Sequence, residues 1–165
     1  MADEQVGTTQ GEQADKNNPQ FAIDRIYVKD ISLETPKGLS AFNNKWKPRV
    51  DLDINTSQSK VADDRHEVTL RLTVTVKDQE SDEVYYLIEI KQSGLFLAKG
   101  FPEQELPRLL ASAAPATLFP YARETIDSLV TRAGFPPLRL APINFDALWQ
   151  AAVKKQQQSA QGTVQ

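Results

Sequence analysis

The strictest constraint on how this chain can fold is the run from Glu67 to Val76, in which polar and apolar side chains alternate without a fault. Val68, Leu70, Leu72, Val74 and Val76 fall on one side, and Glu67, Thr69, Arg71, Thr73 and Thr75 on the other. That period of two belongs to a β-strand with one face buried. A slip of one residue would carry the whole apolar set into solvent, so the same pattern holds the strand in register. Three more segments read as strands. Phe21 to Glu34 alternates, is rich in Ile, Tyr and Val, and stops before Pro36-Lys37-Gly38. Val50, Leu52 and Ile54 alternate with Arg49, Asp51 and Asp53, which predicts a half-buried strand. Val84 to Gln92 follows the polar turn Asp78 to Glu83 as the fourth. Links this short join antiparallel neighbours, because parallel pairing needs a crossover of about a dozen residues or more.

After Gly100 the period lengthens. Pro102, Glu103 and Glu105 suit the start of a helix, where proline loses no bond and acids complement the dipole. Leu106, Leu109, Leu110 and Ala113 follow at helical spacing, with Pro115 expected to interrupt the backbone ladder. Phe119, Ala122, Ile126, Leu129 and Val130 form a second helical stripe that ends near Gly134. Phe135-Pro136-Pro137 forces an extended path as far as Pro142. Asn144 then caps a last helix whose apolar stripe is Phe145, Leu148, Trp149, Ala152 and Val153, with Asp146 in its first turn. Strands first and helices after make an α+β fold, a four-stranded antiparallel sheet followed by helices. Residues 1–19 and 159–165 are too polar to offset the entropy of ordering and are expected to be disordered arms around a domain at 20–158. With neither a secretory signal nor a run of 18 apolar residues, the chain reads as cytoplasmic, with no direct membrane insertion.

Much chemistry is out of reach of this composition. A chain without cysteine has no disulfide, no thiol nucleophile and no Cys-ligated metal. His66, the one histidine, sits between Arg65 and Glu67 and is expected as a solvated strand residue, not as a catalytic base. Neither Asp63-Asp64 nor the pair Asp51 and Asp53 defines a hydrolase or a cation site. There is no glycine-rich phosphate cradle, and no cofactor is expected. The 19 Lys+Arg against 22 Asp+Glu leave a charge of -3, which argues against nucleic acid as a partner. The chain does not read as an enzyme.

Surfaces remain. Strand parity puts Asp30, Ser32 and Glu34 on one face of the first strand, and Leu87 and Glu89 on one face of the fourth with Tyr85 and Lys91. If both strands share an exposed sheet face, they make an acidic patch around an apolar spot. It is either a solvated outer face or a docking face for a basic partner, which gains steering and specificity from the charge. The second surface is aromatic. Phe42 and Trp46 lie in an irregular crossover, and Phe145, Leu148 and Trp149 lie on the last helix. Core packing is the default for the helical three, whereas loops run over surfaces. A groove walled by that helix could hold an extended peptide.

The stretch Phe21-Ala-Ile-Asp-Arg-Ile-Tyr-Val-Lys-Asp-Ile-Ser-Leu-Glu-Thr-Pro36 resembles the first strand of the SecB protein-export chaperones. Leu118-Phe-Pro-Tyr-Ala-Arg-Glu124 and Gly134-Phe-Pro-Pro-Leu-Arg-Leu-Ala-Pro-Ile-Asn-Phe-Asp-Ala-Leu148 resemble two later motifs of that family, in family order. The resemblance implies an ATP-independent cytoplasmic holdase of unfolded preproteins, assembled as a homotetramer, a dimer of dimers. It implies delivery of clients to the SecA ATPase, whose zinc-bearing tail docks on the sheet at the positions matched by Asp30, Glu34, Leu87 and Glu89. It also implies client grooves beneath the crossover and the last helix, for which Phe42, Trp46, Phe145, Leu148 and Trp149 are the candidates. A SecB-like chaperone of a toxin–antitoxin system shares the scaffold, and a small α+β enzyme with a sheet-lined cleft is the rival from another class.

Overall fold

A computed structural model describes residues 18–43 and 45–161, so most of the expected N-terminal arm and the last four residues lie outside the described residues. Strands β1 (Gln20–Glu34), β2 (Pro48–Ala62), β3 (Arg65–Asp78) and β4 (Val84–Lys99) form one antiparallel sheet in the order β1-β4-β3-β2. The expected fold class holds. Along β3 the alternation read from the sequence becomes alternating burial, with Val68, Leu70, Leu72, Val74 and Val76 fully covered.

β1 does not alternate throughout as expected. Its pairing with β4 slips between Ile23 and Arg25, and again between Val28 and Asp30. Each slip is a β-bulge that takes up one extra residue and lets two successive polar side chains lie on the outer side. The inward phase is thereby restored for Ile26 and Val28 and then for Ile31 and Leu33, which stand opposite Gly94, Gln92, Ile90 and Ile88 of β4. At the second bulge the Gln92 amide, buried on the helix side, donates to the Tyr27 carbonyl at 2.9 Å.

β4 runs beyond its expected end at Gln92 to Lys99. Gln92-Ser93-Gly94 looks like a breaker, yet all three residues are buried. A Cβ on Gly94 would stand 2.9 Å from Leu118 Cδ2, so the absent side chain makes room for a helix.

That helix is longer than the prolines suggested. α1 (Leu106–Arg108) passes through a π-helical turn, Leu109–Ala113, into α2 (Ala114–Arg132) without a break. Pro115 widens the helix instead of ending it: the Ala114 N–H donates five residues back to the Leu109 carbonyl. The wider turn relieves the clash of the proline ring with the preceding turn. Ala114, Leu118, Ala122, Ile126 and Val130 recur every fourth residue and are fully buried on the inner face of β3 and β4.

His66 is not solvated as expected. It is buried on that inner face, in phase with Val68, beneath Leu106, Pro107 and Leu110. Burial, helped by the Lys60 ammonium, lowers its pKa from the ordinary histidine value.

Beyond Gly134 the chain is extended past Pro142, as Phe135-Pro136-Pro137 requires. α3 (Phe145–Gln161) follows, with the Asn144 side-chain oxygen accepting the Ala147 N–H at 3.0 Å. The helix continues past residue 158 to Gln161.

Candidate functional site

The outer face of the sheet carries the acidic residues singled out in the sequence, and it brings them together. Because β1 and β4 are neighbours, Glu34 stands opposite Leu87, Ser32 opposite Glu89 and Asp30 opposite Lys91. β3 continues these rows with Thr75, Thr73 and Arg71. β2 closes them with Asp51, Asp53 and Asn55. Two adjacent rows therefore hold Glu34, Glu89, Asp51 and Asp53 around Leu87 and two threonines. Thr73 Oγ1 donates to Glu89 at 3.2 Å. Among the described residues, no cation lies within ion-pair distance of Glu34 or Asp53, and Asp51 has only Arg49 at 3.7 Å. Lys91 marks the border of the patch, with its Nζ 3.0 Å from Asp30 and 3.8 Å from Glu89.

At the far end of the same face the charges are paired off. Glu67 accepts from Tyr27 and Lys29, which together hold its carboxyl below the usual range, and Arg65 meets Asp24 at 2.8 Å.

Tyr85 leaves the company expected for it. The β3–β4 register slips between Val76 and Lys77, and Tyr85 is buried against Trp46 instead of sharing the open face with Leu87 and Glu89. Its hydroxyl donates to Asp78, whose other carboxylate oxygen accepts the backbone N–H groups of Glu80 and Ser81 at 2.9 and 2.8 Å. This carboxylate ties together the β3–β4 turn and, through Tyr85, the crossover from β1 to β2. Ion pairs Lys37–Glu83 and Lys47–Glu80 and the bond from the Gln79 N–H to the Lys47 carbonyl, at 2.9 Å, add to the tie.

The hydrogen bond from Tyr85, followed by those from the turn, pulls the Asp78 carboxyl down from 3.8 to about 2. A depressed carboxyl contributes stability that is complete above its unfolded value and lost as pH falls through the folded one. The melting temperature is accordingly expected to fall between about pH 4 and pH 2. Asp78→Asn should flatten that part of the profile, as read by circular dichroism; an unchanged profile would show that another group carries it.

The crossover rings stand on this anchored end of the sheet. Phe42 packs on Phe135 at 4.9 Å between centroids, Trp46 on Tyr85 at 4.7 Å and on Phe135 at 5.7 Å. Both keep an open side, with Phe42 48% and Trp46 37% exposed. The helical candidates form a second group. Phe145 is buried against Phe119, at 5.9 Å. It also lines a groove of about 610 Å³ between α2 and the extended segment, with Leu138 and Ile143. Trp149 lies under the Arg108 guanidinium, itself 2.9 Å from Asp146, and Leu148 is 46% exposed. No ring contact joins the two groups among the described residues.

Comparisons with known proteins bear on this geometry. Residues 14–157 match the family model described as preprotein translocase subunit SecB. The chain belongs to the SecB family. Protein-export protein SecB of Pseudomonas fluorescens is 49% identical over 154 residues, covering 93% of this chain and 96% of that one. Its counterpart from Marinobacter nauticus is 48% identical over 147 residues, covering 89% and 88%. Among solved structures, a SecB-like chaperone from Mycobacterium tuberculosis, in complex with an antitoxin peptide, superposes with a TM-score of 0.61. At 18% identity over 74% of this chain and 90% of that one, it shows the shared fold.

The SecB scaffold here exposes residues that sequence reasoning did not assign to a surface. Asp51 and Asp53 carry the acidic rows to the far edge, a place legible only once β2 is known to pair with β3. Val50 and Leu52, expected on the buried side of a half-buried strand, remain 42% and 37% exposed, because the helical segment reaches β2 only beyond them, where Ile54 packs on the core. No helix among the described residues is long and apolar enough to cross a membrane.

Proposed function

We propose that this protein is an ATP-independent holdase of the cytoplasm. It binds unfolded preproteins on its uncovered apolar surface and delivers them to SecA through the acidic sheet face. The observation that carries the reading is the set of large apolar side chains that the fold leaves bare: Val50 and Leu52 on β2, Phe42 and Trp46 on the crossover, and Leu148 on α3. Side chains of this size gain about 25 cal/mol per Å² when a client covers them. Folded proteins hide the matching residues, while unfolded chains offer many in succession, so weak contacts add up by avidity.

Assembly as a homotetramer, a dimer of dimers, multiplies these surfaces. It is supported by β1, an edge strand of 15 residues with Ile23, Val28 and Ile31 exposed, which offers open backbone groups for pairing with a second copy. The level of identity to export proteins favours export over an antitoxin client.

The test mixes the purified protein with a slowly refolding, denatured client in the absence of nucleotide. Refolding is expected to slow in proportion to added protein and to resume when a competing unfolded peptide is supplied. Refolding at its normal rate in excess protein overturns the proposal.

A further inference from the structure

Lys91 stands at the border of the acidic patch and competes with the partner for Asp30 and Glu89; we propose that it acts as a built-in brake on partner binding. This inference rests on the reading of the acidic face as the SecA-docking surface. The β1–β4 register puts Lys91 directly across from Asp30. Two residues along its own strand, on the same side, is Glu89. The ammonium is 3.0 Å from Asp30 and 3.8 Å from Glu89, so one internal cation engages two of the four residues expected to receive the partner.

An incoming cation must displace that ammonium or bind next to it, and either event weakens capture. The pairs are exposed, which bounds the effect: a surface ion pair of this kind changes affinity by no more than about fivefold. A delivery surface benefits from such a limit, because a partner held too long cannot be released. The acids farther along, Glu34 and Asp53, have no internal cation among the described residues and remain open to attract the partner first. Lys91 thus sets strength without removing the steering.

The experiment measures SecA binding to the full-length protein by calorimetry for the parent, Lys91→Gln and Lys99→Gln. Lys99 is exposed at the far end of the same strand, and its replacement removes the same charge away from the patch. Lys91→Gln is expected to bind about three- to tenfold tighter at low salt, with the gain shrinking as salt screens the face. Lys99→Gln is expected to bind like the parent. Equal tightening by both variants, or none by Lys91→Gln while the parent binds, overturns the brake and leaves the docking reading in place. A parent protein that does not bind SecA at all removes the docking reading, and the brake with it.

Discussion

Replacing Glu34 and Glu89 together by lysine is expected to weaken SecA binding by about two orders of magnitude at low salt. The two side chains lie in adjacent rows on either side of the β1–β4 pairing, next to Leu87. Each exchange removes an attraction of about 0.7 kcal/mol and installs a repulsion of similar size against a basic partner. Two exchanges therefore amount to roughly 3 kcal/mol, which is the hundredfold loss. Because the face is open to solvent, the difference between parent and variant should narrow at about 1 M salt, where the screening length falls to about 3 Å. Asp51→Lys with Asp53→Lys, on the far edge of the same rows, tests whether the footprint spans all four strands; a smaller loss than for the first pair is expected. Circular dichroism establishes that each variant keeps its sheet. Full affinity in the folded Glu34→Lys/Glu89→Lys protein would move the docking surface off this face.

How much of this was legible in the sequence depended on whether a side chain's environment is set by its own strand or by something that comes to cover it. Period-two patterning in β3 gave the buried face directly, since every residue there lies between two strands and beneath one helix. The acidic rows were half legible. Parity alone aligned Asp30 with Glu34 and Leu87 with Glu89, and the adjacency of β1 and β4 joined the two pairs. In β1 the spacing itself announced more than plain alternation. Apolar residues at 21, 23, 26, 28, 31 and 33 step by two and then by three, and the bulges fall at the steps of three. His66 could likewise have been placed inside by its phase with Val68, but its charged neighbours pointed the other way.

The uncovered apolar surface was not legible in this manner. Val50 and Leu52 have the pattern of buried strand residues, and Leu148 that of a core helix residue, whether the cover is the chain itself or a client. Only the position of α2 over β3 and β4 shows that Val50 and Leu52 were left bare. Pro115 misled for a different reason. A missing N–H weakens a helix locally, yet a five-residue bond, buried Leu110 before it and the fully buried stripe from Leu118 to Val130 beyond it outweigh that loss.

Gly94→Val should cost roughly 2–3 kcal/mol of stability, the range for forcing extra methyl groups into a filled core. The new Cβ would lie 2.7 Å from Phe96 Cε2 and 2.9 Å from Leu118 Cδ2. Neither side chain can step aside cheaply. Phe96 is fully buried and stacked on Phe21 at 5.3 Å with only 7° between the ring planes, and Leu118 is held on the inner face of α2 with no exposed surface. Glycine in a strand carries an entropic penalty of about 0.5–1 kcal/mol that a branched residue relieves, so the measured cost is the overpacking less that gain. In a chain of this length the melting temperature is expected to drop by about 4–12 °C, measured at one fixed protein concentration because association also adds to apparent stability. The mechanism makes a sharper demand than the size of the drop. If helix α2 is lifted by contact at Leu118, trimming that residue must make room for the valine. Leu118→Ala alone opens a cavity and should cost about 2–5 kcal/mol. The double variant should then lose at least about 1 kcal/mol less than the sum of the two single changes. Strictly additive losses would mean that the helix does not rest on Gly94, and the sheet–helix packing that leaves Val50 and Leu52 uncovered would have to be set elsewhere.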